Sequence, residues 1–253
     1  MYTLKEVKSS FNAAAASQPL IFSWLIRPFS FYVTYLVLRL GMNAYQANVV
    51  GLIFGIVGSI FFILGEPYLI WGLLSYLLFL VFDFVDGNVA RVTDSVSYLG
   101  KFIDGVVDMF VETSIPLSLS IGYFLISESR AFLFAGIAVS VLRLFSAYVY
   151  TRLSFINRWA EKELREKGIE FGKNSLNPLE TKRFPVTGCV NVTIDIKILA
   201  ILLIGVAGFI PSALWVVLAV IGVQALVLLV SPLVDAIGTL NIRYISKWDP
   251  RRK

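Results

Sequence analysis

DFVDGNVARVTDSVSYLGKFIDGVVD, residues 83–108, sets five aspartates and two basic side chains into a chain that is otherwise mostly apolar. Asp83, Asp86, Gly87 and Ala90 stand at i, i+3, i+4 and i+7, one face of a helix, and Arg91 follows. Gly100, Asp104 and Asp108 stand at i, i+4 and i+8, and Glu112 continues that face by another turn. The segment between the two runs is short, so two antiparallel helices are expected, with both faces turned inward at the same depth.

Carboxylates buried together oppose each other's ionisation and need neutralising partners. Arg91 and Lys101 are too few for that. Two divalent cations, +4 in total, balance the −4 of Asp83, Asp86, Asp104 and Asp108. An all-oxygen set suits Mg²⁺, Mn²⁺ or Ca²⁺ rather than zinc. Metal pairs about 3.5–4 Å apart recur at sites of displacement at phosphorus. Gly87, Ala90 and Gly100 leave space for a phosphate-bearing ligand near the backbone, and Arg91 offers a fork of donors to phosphate oxygens. Taken singly, each small residue reads as close helix packing and each acid as a solvated helix end. Four aspartates in register on adjoining helices are not accounted for that way.

The rest of the chain places this stretch in a membrane. Of 253 residues, 57% are hydrophobic, with a mean hydropathy of +0.78. About 45–50% is usual for a soluble chain. No histidine is present, which removes imidazole ligands and His-based general bases. The single cysteine, Cys189, excludes an internal disulfide and a paired-cysteine metal site. A net charge of +5 in so apolar a chain points to the anionic cytoplasmic leaflet and not to nucleic acid. The N-terminus, with Lys5, Glu6 and Lys8 close together, does not read as a cleavable signal peptide.

Six stretches reach the roughly 20 apolar residues that a spanning helix needs: 46–65, 68–87, 101–126, 131–152, 191–210 and 213–236. Short joins are expected at Gly65–Pro67, Ser127–Arg130 and Pro211–Ser212. The fold class expected is all-α integral membrane, with six transmembrane helices and an N-terminal amphipathic interfacial helix. Leu4, Val7, Phe11 and Ala14 form the apolar face of that helix, beside Lys5 and Lys8. Residues 20–40, broken by Arg27-Pro28, read as a helix in the cytoplasmic interface rather than a seventh span. The loop at 154–190 is helical and charged in its first half and rich in turn residues later.

Basic residues set the orientation. They crowd the loop between spans four and five (Arg152, Arg158, Lys162, Arg165, Lys167, Lys173, Lys182, Arg183), the tail (Arg243, Lys247, Arg251–Lys253) and the segment before span one (Lys5, Lys8, Arg27, Arg39). With six spans these share one side with Arg91 and Lys101, and the other side carries only Arg130. Both termini and the acidic stretch are therefore expected to be cytoplasmic, in a cell or inner membrane. The expected division is a juxtamembrane segment over 1–40, a six-helix domain over 41–240 and a basic cytoplasmic tail over 241–253.

The pattern Asp83-x2-Asp86-Gly87-x2-Ala90-Arg91-x8-Gly100-x3-Asp104-x3-Asp108 resembles the signature of the CDP-alcohol phosphotransferase (CDP-alcohol phosphatidyltransferase) family. The resemblance implies an enzyme of phospholipid biosynthesis. A CDP-linked lipid donor would be attacked by the hydroxyl of a polar alcohol acceptor, releasing CMP. By the same resemblance Asp83, Asp86 and Asp104 would hold two divalent cations, Mg²⁺ or Mn²⁺. Asp108 would touch metal and take the acceptor's proton. Gly87, Ala90, Arg91 and Gly100 would cradle the cytidine diphosphate. Similar proteins form dimers, so a homodimer in the bilayer is implied too.

The chain departs from the family pattern in two places. Where relatives carry a Pro-Asn pair before span one, it reads Gly41-Met42-Asn43-Ala44-Tyr45-Gln46. After Asp108 stands Met109, where several subfamilies are similar to one another in having a basic residue. Asp94, in the variable segment, reads as a solvated turn residue. Arg143, and Asp195 with Lys197, are intramembrane charges with two open readings: an internal ion pair, or recognition of the acceptor. Two alternatives compete with the enzyme reading. A divalent-cation transporter would need acids near the bilayer midplane and leaves Gly87-x2-Ala90-Arg91 without a purpose. A catalytically inactive scaffold of the same fold would tolerate lost motif positions, and all eight are present.

Overall fold

The computed structural model describes residues 2–9, 21–166 and 186–248, without the side chains of 22–23, 157–166, 186–192, 232 and 235–248. The described residues are helical throughout, joined by short turns. In chain order they form α1 (Leu4–Ser9), a π-helical turn (Phe22–Ile26), α2 (Arg27–Arg39), α3 (Ala44–Leu64), α4 (Leu69–Val92), α5 (Tyr98–Ser127), α6 (Arg130–Glu166), α7 (Val186–Ala207) and α8 (Pro211–Trp248). Ala44–Leu64, Leu69–Val92, Tyr98–Ser127, Arg130–Ile156 and Pro211–Ser231 are long and apolar enough to cross a bilayer. The chain is an integral membrane protein. The other expected span, 191–210, falls on α7, only part of which has described side chains.

Local sequence explains where the helices start and stop. Gly41, at φ +71°, ends α2, with Gly41 N–H bonded to Leu38 O and Met42 N–H to Val37 O. This is a Schellman closure, and glycine adopts its left-handed backbone without steric cost. Two residues on, Asn43 Oδ1 accepts from Gln46 N–H and Gln46 Oε1 accepts from Asn43 N–H, both at 2.9 Å. The segment that lacks the family's Pro-Asn pair is thus a capping box that starts α3. Between α4 and α5, exposed Asp94 sits at φ +50°, and Ser97 Oγ caps α5 by accepting from Gly100 N–H at 3.0 Å.

One expected join is corrected. The chain turns at Gly208–Ile210, with Gly208 at φ +88°, and Pro211-Ser212 opens α8 instead of preceding it. Proline is favoured at the first helical position because its missing N–H would be unpaired there anyway. The last expected boundary, at 240, falls inside α8. Of the expected apolar face at the N-terminus, Val7 is fully buried, and α1 touches α2 and α4. Phe11 and Ala14 lie outside the described residues, as do most of the basic residues of the 154–190 loop and the tail (side chains Arg158, Lys162, Arg165, Lys167, Lys173, Lys182, Arg183, Arg243, Lys247, Arg251–Lys253).

Packing is organised by α3. Val49, Ile53, Ile56, Ile60 and Leu64 form an exposed apolar stripe suited to lipid. The opposite stripe, Gly51, Gly55 and Gly58 with Phe62, is buried against α4 and α5. A Cβ on Gly58 would come within 3.2 Å of Gly72 O, and one on Gly55 would collide with the Val111 methyls. Small residues let transmembrane helices approach closely, which replaces a hydrophobic driving force that lipid does not supply. Val111 lies three residues from Asp108 on α5, so this contact helps to set the position of the acidic face.

Gly55→Val is therefore expected to lower the thermal unfolding midpoint of the detergent-solubilised protein, since overpacking typically costs about 1–3 kcal/mol. Gly105→Ala, where an added Cβ meets nothing within 4 Å, is the matched control and should leave the midpoint unchanged or higher. Equal effects from both would contradict this packing scheme.

Candidate functional site between α4 and α5

α4 delivers Asp83, Asp86, Gly87, Ala90 and Arg91, and α5 delivers Gly100, Asp104, Asp108 and Glu112. Carboxylate oxygens of Asp83, Asp104 and Asp108 all lie within 4.8 Å of one another. Three hard anionic donors that close fit a divalent cation, and with no histidine in the chain no imidazole competes for it. The fourth acid is held differently. Asp86 Oδ2 accepts a 2.7 Å hydrogen bond from Asn48 Nδ2 of α3. With Asp104 it lies on the wall of the adjoining cavity.

That cavity, about 380 Å³, is lined by Asn43, Tyr45, Asn48, Asp86, Gly87, Ala90, Arg91, Gly100, Lys101 and Asp104 among others. The four residues expected at a cytidine diphosphate come together here, 9 to 13 residues apart across two helices (Arg91 to Gly100, Gly87 to Gly100). Gly87 has a further function: a Cβ there would stand 3.3 Å from Arg91 Nη1, so its lack of a side chain makes room for the folded-back guanidinium. Arg91 Nη2 donates at 2.7 Å to Asn88 Oδ1, and Asn88 Nδ2 donates at 3.2 Å to Thr34 Oγ1 of α2. Asn88 and Thr34 are fully buried, so Arg91 is braced by a polar chain running into the helix before the first span. Nearby, Arg27 of α2 packs its guanidinium 4.6 Å over the Phe84 ring. Burial, and then the like charge of Arg91, push the Arg27 pKa down.

A second cavity, about 200 Å³, lies on the other side of the acids. Asp83, Asp108, Glu112, Arg143, Lys197 and Gln224 contribute its polar lining. Lys197 Nζ donates to both oxygens of Glu112, at 2.8 and 2.7 Å. Asp195, two residues before Lys197, reaches a different element: its Oδ1 accepts from Ile21 N–H at 2.9 Å. Residues two apart on a helix do not face each other, so the two charges of α7 diverge. Gln224 Nε2 donates to Thr193 Oγ1 at 2.9 Å.

The site includes residues that the motif did not single out: Asn48, Asn88, Thr34 and Gln224. Their sequence signal is a lone amide or hydroxyl inside an apolar helix. Gln224 is the only amide within Pro211–Ser231, and in Ala44–Leu64 Asn48 is the only amide beyond the capping Gln46. Asn48 Oδ1 is buried with no hydrogen-bond partner among the described residues.

Residues 44–162 match the family model described as CDP-alcohol phosphatidyltransferase. The matched segment holds the four aspartates, Glu112 and Arg143, and stops short of Lys197 and Gln224. Among solved structures, the chain is similar to phosphatidylinositol phosphate synthase (PgsA1) of Mycobacterium tuberculosis with CDP-DAG bound. The TM-score is 0.56 at 17% identity, over 82% of this chain and 93% of that one. That likeness shows a shared fold. No curated protein sequence matches the chain.

Manganese titrated into the purified protein, followed by electron paramagnetic resonance, should report saturable binding. Asp83→Asn and Asp104→Asn should each weaken it at least about tenfold, because a lost charged ligand is worth more than about 1.4 kcal/mol. Unchanged binding in both would rule the cluster out as the cation site.

Proposed function

From the premise that residues 44–162 of this chain are a CDP-alcohol phosphatidyltransferase domain, we propose that it moves a phosphatidyl-type group from a CDP-linked lipid to the hydroxyl of a polar alcohol, releasing CMP. As a member of that family by this domain, the chain is an enzyme, a transferase of substituted phosphate groups. The observation that carries the finer reading is the convergence of Asp83, Asp104 and Asp108 at the wall between two cavities. One cavity is suited to a diphosphate, the other to an alcohol.

In this reading Asp83, Asp86, Asp104 and Asp108 hold two divalent cations, Mg²⁺ or Mn²⁺. When bound, these neutralise the donor diphosphate and stabilise the departing CMP. Gly87, Ala90, Arg91 and Gly100 cradle the cytidine diphosphate, with Arg91 presented to phosphate by Asn88. Asp108 lines the second cavity and takes the proton of the acceptor hydroxyl. The freed oxygen attacks the lipid-side phosphorus. The bond from that phosphorus to the bridging oxygen breaks, and CMP leaves with the electron pair. Arg143 and Lys197 orient the acceptor.

The membrane arrangement belongs to the same proposal. α7 supplies a sixth span, and the N-terminal helices lie in the interface. The basic loop and tail then place both termini and the site on the cytoplasmic side. The donor's tails remain in lipid and its head enters sideways between helices. Residues 1–40, 41–240 and 241–253 act as interfacial segment, catalytic domain and basic tail. The family resemblance supports a homodimer.

Purified protein supplied with Mn²⁺, a CDP-diacylglycerol and a panel of alcohols should release CMP, and chelation by EDTA should abolish that release. Asp108→Asn should lower the rate about 10²–10⁴-fold, the usual contribution of a general base. A rate near wild type in Asp108→Asn would overturn its role. Asn88→Ala should weaken CDP binding about tenfold or more while leaving manganese binding intact, since hydrogen bonds to charged groups contribute about 1.5–3 kcal/mol. Parallel loss of both would instead mean a folding defect.

A further inference from the structure

The charge inventory of the smaller cavity limits what it can receive. Lys197 and Glu112 lie 85 residues apart and meet with side-chain exposures of 4% and 16%. Both Glu112 oxygens are bonded to the ammonium, at 2.8 and 2.7 Å. Two of the three ammonium hydrogens are thus engaged, and the pair is electrically neutral toward a ligand. Arg143 is then the one positive charge on this wall whose partner is not already fixed by a direct ion pair among the described residues. Asp83 and Asp108 also line this cavity, and the cations they would hold in the proposed reading offset their charge.

A phosphate monoester carries about −1.5 to −2 charge at neutral pH. With the cations balancing Asp83 and Asp108, seating one here against Arg143 alone would still leave about 0.5–1 negative charge uncompensated, in a part-buried cavity where unpaired charge is unfavourable. A hydroxyl-rich or zwitterionic molecule has no such conflict. Glu112 retains lone pairs, Lys197 retains one donor, and Arg143 and Gln224 supply further polar groups. The volume, about 200 Å³, is below the roughly 300–1,000 Å³ of pockets for drug-sized ligands, so the molecule is small.

We propose that the acceptor is a small alcohol of no net charge, and that the buried Glu112–Lys197 pair enforces this by neutralising a lysine that would otherwise receive a phosphate. The inference rests on the phosphatidyl-transfer reading and adds the chemical class of the acceptor. Glu112 acts here through Lys197 as a specificity-determining residue.

The test compares kcat/KM for CMP release with glycerol, myo-inositol and serine against glycerol 3-phosphate and myo-inositol 1-phosphate. The full-length protein is used with Mn²⁺ and CDP-diacylglycerol, and Mn²⁺-dependent CDP binding is measured in parallel. The best uncharged acceptor should exceed both phosphate esters at least tenfold. A phosphate ester that equals or beats it overturns the inference and leaves phosphatidyl transfer standing. So does intact CDP binding without CMP release from any uncharged acceptor. Absence of both CDP binding and CMP release removes the underlying reading as well. Glu112→Gln frees Lys197 and should move the ratio at least tenfold toward the phosphate esters; an unmoved ratio removes the role of the pair. Should Glu112→Gln fail to accumulate, the wild-type ratio still decides the acceptor class.

Discussion

Repulsion among half-buried carboxylates is the constraint on which the rest of this structure depends. Asp83, Asp104 and Asp108 bring oxygens within 4.8 Å of one another in a region flanked by apolar helix. Left alone, such groups would push α4 and α5 apart or remain protonated. The helices are held by packing that has no share in the charge. The glycine stripe of α3 seats against Phe82 of α4, Gly72 and Ser75 of α4, and Val111 of α5. These are close contacts that only residues without a side chain allow. Dispersion and backbone proximity therefore hold the acids in register, and a cation bound there would convert their repulsion into attraction.

The acid cluster also divides the site. The larger cavity is built from the starts of α3 and α5 and the end of α4, elements joined by short turns. The smaller one draws on α4, α5, α6, α7 and α8. A cavity assembled from consecutive helices can be specified by a compact motif. A cavity assembled from five helices can change its lining without disturbing that motif. The matched family segment, 44–162, covers the first cavity apart from Asn43 and only part of the second. In the proposed reading, this separation lets a local signature specify a reaction type while the alcohol is left to residues such as Lys197 and Gln224.

Legibility in the sequence follows the same division. The inward faces of α4 and α5 are readable because helical spacing alone brings Asp83 and Asp86, and Asp104 and Asp108, to one side. A turn closed by Asp94 and Ser97 then folds one helix onto the other. The apolar spans are readable because length and composition suffice. Contacts between distant residues are not. Asn48 reaches Asp86 across 38 residues, Asn88 reaches Thr34 across 54, and Lys197 reaches Glu112 across 85. A local pairing of Asp195 with Lys197 looks natural in one dimension, but helix geometry points the two apart. The turn before α8 lies ahead of the expected join for a similar reason: proline breaks a helix interior, yet at the first helical position Pro211 starts one.

The polar residues outside the motif follow a common logic. Asn48 holds Asp86, Asn88 holds Arg91, and Gln224 holds Thr193. Each brace is an amide, and an amide orients a neighbour without adding charge. Charged braces would serve equally well as hydrogen-bonding groups, yet each would alter the field felt by a diphosphate or an alcohol in a region of low dielectric. Neutral braces leave the field of the larger cavity to Arg91, Lys101 and the acids, and that of the smaller to Arg143 and the acids. The charged brace at the smaller cavity, Glu112 on Lys197, cancels a charge instead of adding one. Positioning and charge are thus set largely by separate residues, so the lining of the smaller cavity can vary while the acid cluster keeps its arrangement.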